Sequence, residues 1–104
     1  MARILVLYKT PKDPAAFDAY YFGTHIPLAK TIPGLKKYEV NHGPIGTPAG
    51  PAPYHLIATL YFDDMAAIQY AFASPEGQAT GADVQNFAPN EGDAQILLFD
   101  DQVV

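Results

Sequence analysis

Cysteine is absent from this chain of 104 residues, and serine occurs once, at Ser74. The lack of cysteine excludes disulfides, thiolate catalysis and cysteine-ligated zinc. Ser74 precedes a proline and suits a helix cap, so a Ser-His-Asp triad is not indicated. The histidines His25, His42 and His55 are too widely spaced for a metal-binding motif, and no glycine-rich phosphate loop is present. The sequence therefore predicts neither a metal site nor a bound cofactor.

Charged residues are also scarce, at 16% of the chain, and the net charge is -5. The only neighbouring basic residues of note are Lys36 and Lys37, so neither nucleic acid nor an anionic membrane surface is an expected partner. The apolar run at residues 4–8 is too short for a signal peptide. No segment approaches the ~20 apolar residues that a membrane helix needs. We expect a cytoplasmic protein.

The apolar pattern predicts one α+β domain over residues 1–104, with the element order β-α-β-β-α-β. Asp13 and Pro14 mark the start of the first helix, which Pro27 is expected to kink or break. Residues 43–53 contain four prolines and three glycines and are expected to form a loop. The strands are predicted at residues 3–9, 35–42, 54–62 and 94–101, and the helical segments at 14–31, 64–73 and 75–84.

This order is the ferredoxin-like unit, a four-stranded antiparallel sheet in which the first and third strands are central. The strands are apolar on both faces, but two helices can cover only one of them. The uncovered face would expose an apolar patch of the size that marks an interface. We therefore predict a homodimer formed through the helix-free face of the sheet, as in a dimeric α+β barrel.

Strand alternation also divides the polar and apolar side chains between the two faces. One face is expected to be amphipathic and aromatic, and the other dry, although a one-residue slip would exchange them. An aromatic face with a few polar groups suits a pocket for a small, mostly apolar or aromatic compound. The amphipathic set is Tyr8, Tyr38, His42, His55 and Tyr61, and the dry set is Leu7, Leu56, Leu60 and Phe62.

His25 is the candidate for proton transfer, because it lies in the first helix just before Pro27, where an imidazole can face a cavity. The alternative is a histidine that is hydrogen-bonded within the helix and has only a structural role. Topology places the end of the first helix near the start of the second strand and the end of the third. The expected pocket is lined by His25, Tyr21, Tyr38 and Tyr61 and is closed by Asn86 and Phe87.

Several short motifs, in this order, resemble those of the EthD family, named after ethyl tert-butyl ether degradation. The resemblance implies a dimeric α+β barrel. It matches the family's motif histidine to His25 and the Asn-Phe pair of the family's second signature to Asn86 and Phe87. Related barrels include cofactor-free monooxygenases, cyclases, isomerases and haem-degrading enzymes. The motifs are Leu7-Tyr8-Lys9-Thr10-Pro11, Phe17, Tyr20-Tyr21, Thr24-His25-Ile26-Pro27-Leu28-Ala29, Ile32-Pro33-Gly34-Leu35, Ser74-Pro75-Glu76-Gly77-Gln78 and Asp83-Val84-Gln85-Asn86-Phe87.

Two functional hypotheses follow from these residues. The first is a cofactor-independent enzyme (an oxidoreductase, cyclase, isomerase or decarboxylase) that uses His25 as general acid/base, because imidazole exchanges protons near neutral pH. The second is a non-catalytic ligand-binding protein, or an accessory protein of an oxidative degradation system. The two are distinguished by whether an imidazole nitrogen of His25 faces a cavity or is held in structural hydrogen bonds.

Overall fold

A computed structural model describes all residues, 1–104, and contains a four-stranded antiparallel sheet. The strands are β1 (Ala2–Lys9), β2 (Lys37–Val40), β5 (Tyr54–Phe62) and β6 (Ala94–Asp100), in the order β2-β5-β1-β6. The first and third predicted strands, β1 and β5, are therefore central, and the ferredoxin-like α+β fold is confirmed. The predicted loop at residues 43–53 additionally contains a small hairpin of β3 (Gly46–Thr47) and β4 (Gly50–Pro51).

Two of the three helix starts are as predicted, and the second helix begins at Met65, one residue later than predicted, because Asp64 is its cap. Asp13 caps α1 (Pro14–Tyr20) by accepting the Ala16 N–H, and Asp64 caps α3 (Met65–Ala73) by accepting the Ala67 N–H. Ser74 caps α4 (Pro75–Asp83), which continues into a 3₁₀ turn at Val84–Asn86. These caps satisfy N–H groups that have no partner within the helix.

The first helix is widened, rather than simply kinked, where Pro27 was expected to disturb it. A π-helical turn at Tyr21–His25 joins α1 to α2 (Ile26–Ala29), and the Ile26 N–H donates to the Tyr21 carbonyl five residues earlier. Pro27 has no N–H to continue the ordinary ladder, so the hydrogen-bonding register shifts just before it. Single π-turns of this kind occur frequently at functional sites.

The predicted division of side chains between the two sheet faces is wrong. Tyr8 pairs directly across from Leu56, and Tyr38 pairs with Leu60, and residues opposite each other in a sheet share a face. This face packs against the helices and forms the core. Alternation therefore places Leu7 and Tyr61 on the helix-free face.

The helix-free face carries an apolar surface, which we call the open face. Within the isolated subunit, Leu97 and Phe99 of the edge strand are 41% and 40% exposed, and the other members are partly buried. The open face consists of Leu5, Leu7, Ile57, Leu97 and Phe99. None of the helices combines the length and the hydrophobicity needed to cross a membrane.

Candidate functional site

A cavity of about 110 Å³ lies between the helices and the helix-covered face of the sheet. Its walls are mainly apolar, and the sheet contributes Ile4, Val6, Ala58 and Leu60. Its polar lining is concentrated in the first helix and the adjoining strands. The polar groups are supplied mainly by Tyr8, Tyr21, His25 and Tyr38. A mostly apolar cavity with a few grouped polar atoms is the usual form of a small-molecule site.

His25 lines this cavity and is only 4% exposed. Its Nδ1 lies 2.9 Å from Oδ2 of Asp83, whereas its Nε2 has no hydrogen-bond partner in the protein. The other carboxylate oxygen of Asp83 accepts hydrogen bonds from the Tyr20 hydroxyl at 2.6 Å and from Asn86 Nδ2 at 2.9 Å. Because an ionised carboxylate only accepts hydrogen bonds, Nδ1 carries the proton in neutral His25 and Nε2 is left as a free acceptor.

The charges of this pair follow from their surroundings. Burial lowers the pKa of His25, and the hydrogen bond to Asp83 only partly opposes this effect. Burial would raise the pKa of Asp83, but hydrogen bonds from Tyr20, Asn86 and His25 outweigh it and hold that pKa below its ordinary value. At neutral pH the pair is therefore a carboxylate and a neutral imidazole, which is the state required of a general base.

Two tyrosine hydroxyls meet in the cavity that His25 lines. The hydroxyl oxygens of Tyr21 and Tyr38 are 2.6 Å apart, and the Tyr21 ring centroid lies 5.2 Å from that of His25. Burial raises the pKa of Tyr21 and of Tyr38, and it raises that of Tyr8 as well. All three hydroxyls are therefore protonated near neutral pH. One proton of the Tyr21–Tyr38 pair is used in the hydrogen bond between them, and the other can be donated to an oxygen atom of a ligand.

The structure brings together only some of the residues that the sequence predicted for the pocket. Tyr21, His25 and Tyr38 line the same cavity. Phe87 packs edge-on against the imidazole, with ring centroids 4.6 Å apart. Asn86 is exposed and does not line the cavity, because its amide is turned toward Asp83 and supports that carboxylate instead.

The predicted position of Tyr61 beside His25 is wrong. Tyr61 pairs with Arg3 and Lys37 on the helix-free face, so the sheet itself separates it from the cavity. Its hydroxyl donates to Oε1 of Glu39 at 2.6 Å, and the Arg3 guanidinium lies 4.6 Å from its ring centroid. The error lies in which alternate residues of the strand were assigned to each face of the sheet, since a shift of one residue moves a side chain to the opposite face.

The sequence reasoning missed Asp83, the residue that orients His25. A usable signal was present, because Asp83 and Asn86 are three residues apart and therefore neighbours on a helix surface. Its contact with His25, however, joins residues separated by 58 positions in the chain. Helical periodicity describes only local neighbours, so it gives no information on this pairing.

The other two histidines lie outside this cavity, beside a wider and more open cleft of about 460 Å³. The cleft is bounded by α1 and the loop at residues 43–53. His55 Nε2 lies 2.7 Å from Oδ1 of the half-exposed Asp18, and His42 is exposed. No group of three or more side chains suited to hold a metal ion occurs in the structure.

Comparison with known proteins places this arrangement in a family. The family model for the EthD domain matches residues 9–91. The chain belongs to the EthD family. It is 39% identical over 104 residues to an 11.0 kDa protein from the thcB-thcC intergenic region of Rhodococcus erythropolis, covering 100% of this chain and 98% of that one. An EthD family protein from Bacillus halodurans has a crystal structure with a TM-score of 0.89 and 34% identity, covering 98% of this chain and 99% of that one.

More distant structures share the fold of this EthD family member. SnoaB, a cofactor-independent oxygenase from Streptomyces nogalater, has a TM-score of 0.68 at 13% identity, covering 99% of this chain and 94% of that one. A dimeric protein with a ferredoxin-like fold from Bacteroides fragilis has a TM-score of 0.62 at 17% identity, covering 95% and 94%. At these identities the likeness shows the fold alone.

Proposed function

We propose that this EthD family protein binds a small, mostly apolar or aromatic compound in the cavity beneath its helices. His25 then acts on the compound as a general acid/base without a cofactor. One observation carries the proposal: a buried imidazole whose Nδ1 is held by a carboxylate and whose Nε2 is unpaired lines an apolar cavity. Cofactor-independent chemistry in a fold relative, SnoaB, is in accord with it.

The shared first step of such chemistry is abstraction of a proton by Nε2 of His25. The proton moves from a C–H or O–H group of the ligand to Nε2, and the electron pair passes to a ligand oxygen. Asp83 stabilises the imidazolium that forms, as the third member of a nucleophile-base-carboxylate set does. The hydroxyls of Tyr21 and Tyr38 share one hydrogen bond, so the hydroxyl that accepts in that bond donates its own proton to the developing oxyanion, which is most effective where water is excluded.

The second candidate is a non-catalytic ligand-binding or accessory protein that uses the same cavity. One observation favours it: His25 is tightly packed, with the Phe87 ring 4.6 Å away and Asp83 on Nδ1. A histidine fixed in this way can orient a ligand through Nε2 without moving a proton. The two candidates therefore differ in whether bound ligand exchanges a proton, and not in whether it binds.

Cyclohexanone distinguishes the two candidates, because it is a single apolar ring with one oxygen and weakly acidic neighbouring C–H groups. We expect it to bind, and we expect the wild-type protein to accelerate exchange of those hydrogens with D₂O by about 10²-fold or more over the His25→Phe variant, a usual range for general base catalysis. Proton NMR measures both binding and exchange.

Phenylalanine at position 25 keeps an aromatic ring beside Phe87 but removes both nitrogens. His42→Phe makes the same chemical change at an exposed position outside the cavity and serves as the matched control. Binding with equal exchange in the wild type and His25→Phe would favour the accessory protein. A lack of cyclohexanone binding would contradict the proposed ligand class.

We further propose that two copies of the chain associate through the open face. In the isolated subunit Leu97 and Phe99 of β6 are 41% and 40% exposed on the open face, and Leu5, Leu7 and Ile57 continue this apolar surface across the central strands. A sheet face of this kind is usually covered. The dimeric fold relative from Bacteroides fragilis supports a second copy of the chain as the covering partner.

A further inference from the structure

The cavity around His25 has an open end and a closed end. Among the residues that line it, Phe72 of α3 and Ile96 of β6 are 43% and 53% exposed, and Gly81 of α4 is exposed as well. At the other extreme, Tyr21 and His25 are 0% and 4% exposed. The entrance therefore lies between the α3-α4 pair and β6, and the polar groups lie at the closed end.

Helix packing does not require a glycine at position 81, which lies at this entrance. A Cβ atom added at Gly81 would meet no atom within 4 Å, whereas one added at Gly77 in the same helix would lie 1.9 Å from the Ala71 carbonyl oxygen. Close approach of α3 and α4 therefore requires glycine at 77 but not at 81. Glycine is unfavourable inside a helix. The missing side chain at position 81 leaves open space at the mouth of the cavity.

The volume of the cavity limits what can pass this entrance and fit inside. A cavity of about 150 Å³ with apolar walls holds one benzene molecule, and the present cavity measures about 110 Å³. The cavity is smaller than that but open at one end, so one six-membered ring, or a branched group of the same size, is the upper limit of what it holds without movement of the helices, with part of the ring at the entrance. The closed end offers a tyrosine hydroxyl of the Tyr21–Tyr38 pair, which donates to a ligand oxygen, and the unpaired Nε2 of His25, which accepts, so a polar atom of the ligand is accommodated there and not among the apolar walls.

Building on the proposed function, we infer that the cavity selects monocyclic compounds, which bind with a polar atom at the closed end of the cavity. We also infer that Gly81 sets the width of the entrance. Gly81 is thus a specificity-determining residue that makes no contact with the reacting atoms. A larger side chain at this position narrows the passage between α4 and β6 without touching the core.

The test compares two ketones that differ by one fused ring, cyclohexanone and 2-decalone. Each is titrated into ¹⁵N-labelled protein, and amide shifts of cavity residues report binding. We compare the wild type with Gly81→Ala, Gly81→Leu and Ala82→Leu. Ala82 is exposed on the same helix and lines no part of the cavity, so Ala82→Leu is the matched control for added bulk.

The wild type is expected to bind cyclohexanone at least about 10-fold more tightly than 2-decalone, and Gly81→Leu to weaken cyclohexanone binding by about 10-fold or more, a factor equivalent to 1.4 kcal/mol. Ala82→Leu should bind as the wild type does. Gly81→Ala is expected to raise the melting temperature by roughly 2–6 °C, because alanine favours the helix. The melting temperature of Gly81→Leu is measured in the same way, so that weaker binding by a folded variant cannot be attributed to unfolding.

Three results would overturn the inference. The role of Gly81 is excluded if Gly81→Leu binds cyclohexanone as tightly as the wild type does. The size limit is excluded if 2-decalone binds the wild type as tightly as cyclohexanone. In both cases the wild type still binds a small apolar ligand, so the proposed function stands. If the wild type binds neither ketone, the proposed function fails and the inference fails with it.

Discussion

The Gly77→Ala variant is expected to lose roughly 3 kcal/mol of unfolding free energy, at the upper end of the usual cost of overpacking. A Cβ at this position would lie 1.9 Å from the Ala71 carbonyl oxygen and 2.8 Å from its carbon. Both atoms belong to the backbone of α3, so no flexible side chain can move aside. The helices must separate instead, and this cost exceeds the ~1 kcal/mol that alanine contributes as a better helix former.

Urea unfolding followed by circular dichroism measures this loss. All variants are compared at the same protein concentration, because the stability of a dimer depends on that concentration. Gly81→Ala is the matched control, since it makes the same change one helical turn later in open space. We expect the two variants to have effects of opposite sign. Equal effects would mean that α3 and α4 do not approach as closely as the structure has them.

The Leu97→Lys variant is expected to be a folded monomer, in contrast to the dimer that we propose for the wild type. Leu97 is 41% exposed in the isolated subunit and lies beside Leu5 on the open face, so lysine there stays hydrated in a monomer. In a symmetric dimer the substitution enters the interface twice. Burying two unpaired ammonium groups costs several kcal/mol, and each 1.4 kcal/mol weakens association tenfold.

Light scattering coupled to gel filtration at micromolar protein concentrations measures the mass of each species. Gln69→Lys, which adds the same charge on the exposed surface of α3, is the control and should remain dimeric. Leu60→Lys should unfold the chain instead, because Leu60 is 6% exposed and belongs to the core. A wild-type monomer, or a Leu97→Lys variant with undiminished dimerisation, would contradict association through the open face.

Local patterns in the sequence were enough to predict the elements of the fold. The third predicted strand at residues 54–62 coincides with β5, because a mostly apolar run is bounded by Pro53 and by the Asp63-Asp64 helix start. The helix starts were predictable to within one residue, since the caps Asp13, Asp64 and Ser74 act on N–H groups only three residues away. Each of these signals depends only on residues that are close together in the sequence.

The candidate site was predictable only in part, because its geometry depends on contacts between distant segments. His25 and Tyr21 come from one helix, and Tyr38 follows from the topology of the fold. Predicting the position of Tyr61 required the strand register. Because tyrosines occur on both faces of the sheet, the sequence pattern does not determine that register. Predicting the contact of Asp83 with His25 required knowledge of how α4 packs against the first helix, and no local pattern in the sequence encodes that packing.

The central claim is that His25 is a neutral base, held through Nδ1 by Asp83 and free at Nε2. Long-range ¹H–¹⁵N NMR of the imidazoles between pH 4 and 8 tests it directly, with the His25 signals assigned from the His25→Phe variant. At pH 7 we expect the proton on Nδ1 and an unprotonated Nε2. We also expect a pKa below the ordinary 6.5, which falls further in Asp83→Asn because the carboxylate no longer stabilises the charged ring. A proton on Nε2, or a charged imidazole at pH 7, would contradict the account.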